Sequence, residues 1–431
     1  MQKNTNPVPH LITATNEPMY KLEETILAAQ AKIEAWLRQQ WRNTPAPFYS
    51  SVDLRNAGFK LAPIDTNIFP AGFNNLNPDF LPLAIQAVQA TLEQARAGCT
   101  NLILIPENHT RNTFYFESIA VLQDIFTKAG YLVRIGSLRE DLTKPETINL
   151  PSGKKLLIER LEREADRLKI GDFYACVIIL NNDLSAGLPE ILQNLKPAIL
   201  PPAELGWMRR LKSQHFHHYD QVAKEFAELI GVDEWFINPY FSVCDNVNFL
   251  KREGEAELAE KVQAMLAKIQ KKYDEYNITH TPYVVIKADA GTYGMGVITV
   301  QSVEELLQLN RKKRTNMSTA KGDRPITQVI LQEGVYTFET WNDAVAEPVV
   351  YMIGQYVIGG FYRIHNARGI TENLNAPGME FKPLAFAEPC NKPEHSVGPD
   401  ECQNRFYVYG VIARLAAIAG AREQAQVKTG N

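Results

Sequence analysis

The sequence predicts an α/β protein, on two observations. Between about residues 80 and 200, apolar runs of strand length alternate with segments of helical spacing, the pattern of a parallel layer covered by helices. Beyond residue 280 the chain turns strand-rich, with short apolar runs divided by glycines and polar turns.

Leu22, Ile26, Ala29, Ile33, Trp36 and Leu37 stand near helical spacing, so residues 21–43 are expected to form an opening amphipathic helix. Pro45 and Pro47 end it, and Ser50 to Leu76 is a mixed segment, apolar in short pieces and rich in Asn and Pro. A helix follows over 80–97, then a buried strand Asn101–Ile105, a helix Phe114–Ala129 stopped by Gly130, and strands Tyr131–Ile135 and Ala175–Leu180. Asn181, Asn182 and Asp183 form the next loop, ahead of a short helix near Pro189–Leu195. Pro197, Pro201 and Pro202 mark a boundary, dividing an N-terminal α/β domain (1–204) from a second domain (205–431). Helices over 219–230 and 254–276 come next. Strands are then expected at Tyr283–Lys287, Val297–Val300, Gln328–Glu333, Val349–Ile353 and Tyr356–Arg363, with a closing helix over 406–422. The polar run Arg311–Arg324 is expected to be a mobile connector.

Bulk chemistry removes several function classes. Lys and Arg total 45 against 49 Asp and Glu, a net charge of -4 that points to no nucleic acid and no membrane surface as main partner. No apolar run approaches the ~18 residues of a membrane span. The opening residues lack the apolar stretch of a signal peptide. Cys99, Cys176, Cys244, Cys390 and Cys402 are scattered, with no C-x-x-C, so reduced thiols in a cytoplasmic protein are expected rather than a disulfide framework or zinc site. Oligomeric state is not legible.

The most informative segment is YVVIKADAGTYGMGV, residues 283–297. An apolar strand delivers Lys287, and Gly291, Gly294 and Gly296 follow. Glycines let backbone N–H groups approach an anion, and a lysine at a strand end supplies a point charge for phosphate oxygens. The segment lacks GxxxxGK(S/T) and opens no long helix, so neither a P-loop nor a dinucleotide fingerprint fits; a β-hairpin with a glycine-rich turn is the plain alternative. Downstream, Val329–Val335 is a strand ending in Gln332-Glu333-Gly334-Val335, and upstream Lys212 lies in WMRRLKSQHFHH. His215, His217 and His218 there are too tightly spaced, without a nearby Cys, to suggest zinc, and are taken as structural. In LRNAGFKLAPIDTNIFPAGFNNL, residues 54–76, Asp65 and Asn67 are i and i+2 on an extended strand and point the same way as hard oxygen ligands. An Asx-turn is the alternative. Arg55 supplies a fork suited to a carboxylate, and the turn Phe69-Pro70-Ala71-Gly72-Phe73 could expose backbone N–H groups. Arg111 and Asn112 follow the Asn101–Ile105 strand, where α/β sheets bind ligands, and are candidates for amino-acid recognition.

Lys212, Lys287 with its glycine loop, and the 332–335 hinge resemble the order of parts in ATP-grasp ligases. The resemblance implies that the two lysines hold ATP phosphates, that the loop (Gly291, Gly294, Gly296) covers them, and that Gln332, Glu333 and Val335 frame the adenine. The Arg55…Asp65-x-Asn67 segment ahead of the lysines resembles the permuted arrangement of eukaryotic-type glutathione synthetases, with Asp65 where that family has Glu. It implies Mg²⁺ on Asp65 and Asn67, with Asp289 as third ligand and Glu347 or Glu372 as alternatives. Asn373–Gly378 resembles the small-residue loop that covers substrate in those enzymes, implicating Asn373 and Asn375, with Arg363 at the end of the preceding strand. Taken together, APIDTNIFPAGFNNL, KADAGTYGMGV, ENLNAPGMEF and YVYGVIARLA resemble the proteobacterial glutamate–cysteine ligases nearly end to end. That implies ATP-dependent joining of the L-glutamate γ-carboxylate to L-cysteine through an acyl phosphate. Lys287, Arg55 and Arg363 would be the catalytic residues, the arginines and Phe69, Ala71 and Gly72 serving the substrates. Glutathione synthetase, another ATP-grasp ligase, or a non-catalytic nucleotide-binding protein remain the alternatives.

Overall fold

The computed structural model describes residues 17–108, 112–290, 296–320, 324–383 and 406–429. The opening helical pattern is divided at Ala29 into α1 (Glu17–Ala28) and α2 (Gln30–Asn43). The mixed segment that follows resolves into two strands, β1 (Tyr49–Asn56) and β2 (Leu61–Asn67). An α/β stretch comes next: α3 (Leu81–Ala95), β3 (Asn101–Pro106), α4 (Thr113–Lys128), β4 (Leu132–Ser137), β5 (Glu146–Asn149), β6 (Lys155–Arg160), β7 (Val177–Asn181) and β8 (Ala198–Leu200). The remainder holds α5 (Lys212–Ile230), β9 (Phe241–Cys244), α6 (Glu255–Glu275), β10 (Val284–Ala288), β11 (Val297–Val300), β12 (Val329–Glu333), β13 (Ala344–Ile353), β14 (Tyr356–His365), β15 (Glu380–Pro383) and α7 (Phe406–Thr429).

Local chemistry sets several boundaries. The Asn112 side chain accepts from the Tyr115 N–H and so caps α4. Gly231, at φ 75°, ends α5 in the left-handed conformation that glycine tolerates. Glu255 and Glu257 place negative charge in the first turn of α6. Arg311–Asn316, expected to be a connector, is a short helix capped by Asn310. α5 starts at Lys212, earlier than the apolar spacing suggested, because its first turn is buried through His215 and Phe216 rather than through aliphatic residues.

These elements build three principal sheets. The first runs β2-β1-β13-β14-β15, antiparallel throughout; the second runs β8-β7-β3-β4-β6-β5, parallel except at β5; the third is antiparallel, β9-β12-β10-β11. The first sheet joins residues 49–67 to residues 344–383, so its strands come from both sides of the expected boundary at 204. α7 is buried around most of its circumference and packs on α1, α2, α5, β1, β2 and β13. A helix apolar on all faces belongs in an interior, which explains its weak amphipathic pattern.

Cys99 and Cys176 form a disulfide, Cα–Cα 5.8 Å, contrary to the expectation of reduced thiols. Each lies just before a strand, and β3 and β7 are parallel neighbours in register, Leu102 beside Val177. Strand pairing therefore sets side by side two cysteines that are 77 residues apart in sequence. Cys244 is free and buried, and Cys390 and Cys402 lie outside the described residues.

Candidate functional site

The first sheet presents a charged row on one face. Asp53 and Asp65 are directly opposed across β1 and β2, Arg55 is two residues beyond Asp53, and Glu347 is directly opposed to Arg363 across β13 and β14. Like charges directly opposite one another destabilise a sheet, so Asp53 and Asp65 need cations nearby. Arg363 donates to Asp53 (2.8 Å) and Glu347 (2.6 Å), Arg55 Nε donates to Glu347 (3.0 Å), and Lys212 Nζ donates to Asp65 (2.8 Å). Glu347 was an alternative third metal ligand. It lies inside β13 at 1% exposure, held by two arginines.

This row is one wall of a cavity that opens to solvent. Opposite it stand Val285, Lys287, Val297 and Thr299 from the β10–β11 hairpin and Gln332, Glu333 and Val335 from the end of β12. Thr371, Asn373 and Asn375 complete the rim. Ile64, Val285, Ala288, Val297 and Val335 add apolar side chains to the lining.

A bulge brings the two walls together. The β1–β2 register shifts between Asp53 and Leu54, whose partners are Asp65 and Pro63, so Ile64 is left unpaired in the ladder. Its carbonyl accepts from Lys287 Nζ (2.7 Å), which also donates to Gln332 Oε1 (2.7 Å). Burial, with Lys212 and Arg55 nearby, brings Lys287 down to about 8 against the pull of Asp65. Burial alone would raise Asp65, but Lys212 and Lys287 outweigh it and hold that carboxyl well below the usual range. Burial lifts Asp53 above its ordinary value; Arg363 opposes the shift, and Glu347 and Asp65 add to it.

Arg55, Lys212, Asp65, Lys287, Gln332, Glu333, Val335, Arg363, Asn373 and Asn375 all line the cavity. Their side chains differ in what they have free. Arg55 donates to Glu347, the Tyr283 hydroxyl, and the Val335 and Glu372 carbonyls, so its fork is spent within the protein. Glu333 accepts from Lys60, Trp235 Nε1 and the Tyr240 N–H, which makes it an anchor of the hinge. In the hinge backbone, the Glu333 and Gly334 N–H groups donate to Tyr240 and Tyr283, and the Val335 carbonyl accepts from Tyr283 and Arg55. Gln332 Nε2 and Arg363 Nε, both buried, have no acceptor among the described residues.

Other expected site residues lie elsewhere. Asp289 is 0% exposed, and its carboxylate takes the Ser213 N–H (2.7 Å) and hydroxyl (2.6 Å), holding the first turn of α5 rather than facing the cavity. Asn67 Oδ1 accepts from the Phe69 N–H, an Asx-turn. Glu372 pairs outward with Arg368. Phe69 is buried in a cluster with Ile103 and Leu180, the Ala71 carbonyl accepts from Tyr351, and the Gly72 N–H donates to Ser118. Asn112 serves as the α4 cap. Gly296 adopts φ +64° at the end of the glycine segment, while Gly291, Gly294 and Arg111 lie outside the described residues. His215 bonds Glu423, which also holds Arg210.

Asp53 was missed by the sequence reading. Its signal was present: Asp53 and Arg55 are charged positions that alternate with the apolar Val52 and Leu54, and Glu347 is the lone acid in AVAEPVVYMI.

The family model for glutamate–cysteine ligase matches residues 23–424. A protein from Methylobacillus flagellatus KT assigned as a gamma-glutamylcysteine synthetase has a solved structure that is 53% identical, covering 97% of this chain and 99% of that one, with a TM-score of 0.90. Two more distant structures are a glutathione synthetase-like effector from Globodera pallida (12% identity, 83% of each chain, TM-score 0.38) and D-alanyl-alanine synthetase A from Vibrio cholerae (9% identity, 74% of this chain and 81% of that one, TM-score 0.34). Neither likeness is close enough to carry a conclusion. Comparison with curated proteins gave no match. With a family model spanning nearly its whole length and a fold shared with a 53% identical protein, this chain belongs to the glutamate–cysteine ligase family.

Proposed function

We propose that the cavity between β1, β14 and the β10–β11 hairpin is where this ATP-dependent ligase, of ATP-grasp type, forms γ-glutamylcysteine. Family membership supplies the reaction, and the observation that carries the site is the convergence of Lys212 and Lys287 on Asp65 beside a wall of paired arginines.

The γ-carboxylate oxygen of L-glutamate attacks the terminal phosphorus of ATP. ADP leaves and an acyl phosphate remains. The amine nitrogen of L-cysteine then attacks the acyl carbon, phosphate departs with the bonding pair, and the amine gives up a proton. Little covalent work falls to the protein, so its task is positioning and charge neutralisation. Lys212 and Lys287 supply charge to the phosphates, Ile64, Val285 and Val297 offer an apolar slot for the base, and Gln332 Nε2 offers the base a donor. Arg363 is the arginine with capacity left for a substrate carboxylate. Arg55 acts through others, fixing Glu347 and the Val335 carbonyl.

Among the described residues no three acidic, His or Cys side chains are grouped to cage a metal. Magnesium is often held by one or two carboxylates with substrate phosphates completing its shell, and the donors present fit that mode. Asp65 would hold it, with Asn67 close by on the same strand. Bound there, magnesium would neutralise charge on the transferring phosphoryl group. We place the reaction in the cytoplasm, where ATP and free amino acids are supplied. The test is ADP release across a panel of amino-acid pairs, with products identified by mass spectrometry. γ-Glutamylcysteine from L-glutamate plus L-cysteine supports the proposal. Glutathione from γ-glutamylcysteine plus glycine would reassign it, and no ADP with any pair would refute it.

A further inference from the structure

Arg363 and Asp53 form an ion pair on the cavity wall that neither the phosphates nor the sheet accounts for. Glu347 already neutralises Arg363 from within β13, at 2.6 Å. Asp53 is a second acid on the same guanidinium, placed directly opposite Asp65, where a carboxylate is unfavourable for the sheet. Arg363 is 8% exposed, and its Nε–H, buried, has no acceptor among the described residues. The Asp53 side chain is 18% exposed, and an ionised carboxylate has room for several donors beyond the one guanidinium N–H it takes. A positive and a negative group thus stand side by side, 2.8 Å apart, both lining the cavity and both with bonding capacity left.

We infer that Asp53 and Arg363 are the head-group site for the donor amino acid, Asp53 taking its α-ammonium and Arg363 its α-carboxylate. The inference rests on the ligase reading above and names what that reading leaves open, the part of the protein that recognises an α-amino acid. A free amino acid carries its two charges on one carbon, which an adjacent pair of opposite charges complements. Distance chooses which substrate sits there. β2 and β1 are neighbours, so Asp53 lies about one strand spacing, roughly 5 Å, from the Asp65–Lys212 end assigned to the phosphates. Three C–C bonds carry the glutamate α-carbon to its γ-carboxylate, about 4 Å. An amino acid held at Asp53 and Arg363 therefore reaches the phosphates with its side-chain carboxylate, and cysteine has no such group to present.

The test compares L-glutamate with glutarate, which keeps both carboxylates and lacks the ammonium. Each is measured against the wild type, Asp53→Asn and Asp53→Ser. Dissociation constants come from calorimetry with Mg²⁺ and a non-hydrolysable ATP analogue, and kcat/KM from ADP release with L-cysteine; melting curves identify which variants are folded. The wild type should prefer glutamate by about 30-fold or more, the scale of a truncated buried charge pair. In a folded Asp53 variant that preference should shrink to within about threefold, through the loss of glutamate affinity. A preference kept by the variants, equal weakening of both acids, or no preference in the wild type would overturn the inference. The larger reading fails in a different way: wild-type protein that neither binds glutamate nor releases ADP with glutamate and cysteine.

Discussion

Replacing Lys60 by methionine should expose how the nucleotide hinge is held. Lys60 is 1% exposed; its Nζ lies 2.9 Å from Glu333 Oε2, 3.0 Å from the Asn238 carbonyl and 4.4 Å from the Trp235 ring centre. Burial brings it down to about 8 from the ordinary 10.5, even against the attraction of Glu333. That shift corresponds to about 3 kcal/mol disfavouring the charged lysine, so the pair does not fully offset its own desolvation. Lys60→Met leaves Glu333 charged, buried and short of its nearest cation, with only the Trp235 Nε1 and Tyr240 N–H donors remaining. Breaking a buried pair on one side costs about 3–5 kcal/mol. The double change Lys60→Met/Glu333→Gln removes the orphaned charge and keeps an acceptor for Trp235, so its loss should fall to about 1–2 kcal/mol. Urea unfolding followed by tryptophan fluorescence measures all three proteins. The sign with pH can be checked too. Between about pH 8 and pH 10 the unfolded chain binds more protons at Lys60 than the folded one, so the wild type should gain stability relative to Lys60→Met as pH rises. A single variant within about 1 kcal/mol of the wild type, or a double variant no more stable than the single, would refute the reasoning.

Lys287→Ala should cost about 2 kcal/mol or more of transition-state stabilisation in ADP release while the fold survives. Because free Lys287 loses its charge as pH rises through about 8, kcat/KM for ATP should decline above that pH, and Lys287→Arg should move the decline upward. Asp65→Asn should raise the magnesium concentration needed for half-maximal turnover. It should also lower ligand-free melting, since the fold holds Asp65 ionised against Lys212 and Lys287; normal magnesium dependence would contradict the assignment. Gly334→Ala places a methyl group 2.1 Å from the Tyr283 ring, so it should cost about 1–3 kcal/mol in urea unfolding. It should also raise KM for ATP, because the Tyr283 hydroxyl holds the Val335 carbonyl.

Much of this protein was decided within single segments. Periodicity alone placed α3, α4, α6, β3 and β10, because each carries one apolar face or a short continuous apolar run. The two lysines, the hinge and Asp65 were legible because each is a chemical oddity at the end or side of an apolar run. What the sequence could not fix is pairing across long separations. Asp289 and Asp65 look alike in sequence, each an acid at the end or side of an apolar strand. Tertiary packing turned one into the clamp on Ser213 and left the other facing the cavity. Arg55 and Arg363 were equally plausible substrate forks until Glu347, Tyr283, Val335 and Glu372 took up the first. Cys99 and Cys176 became partners when β3 and β7 paired. Asp53 gained meaning only when β2, β13 and β14 came alongside β1. A side chain's own chemistry is written in its residue, whereas its free bonding capacity depends on which distant strands pack against it.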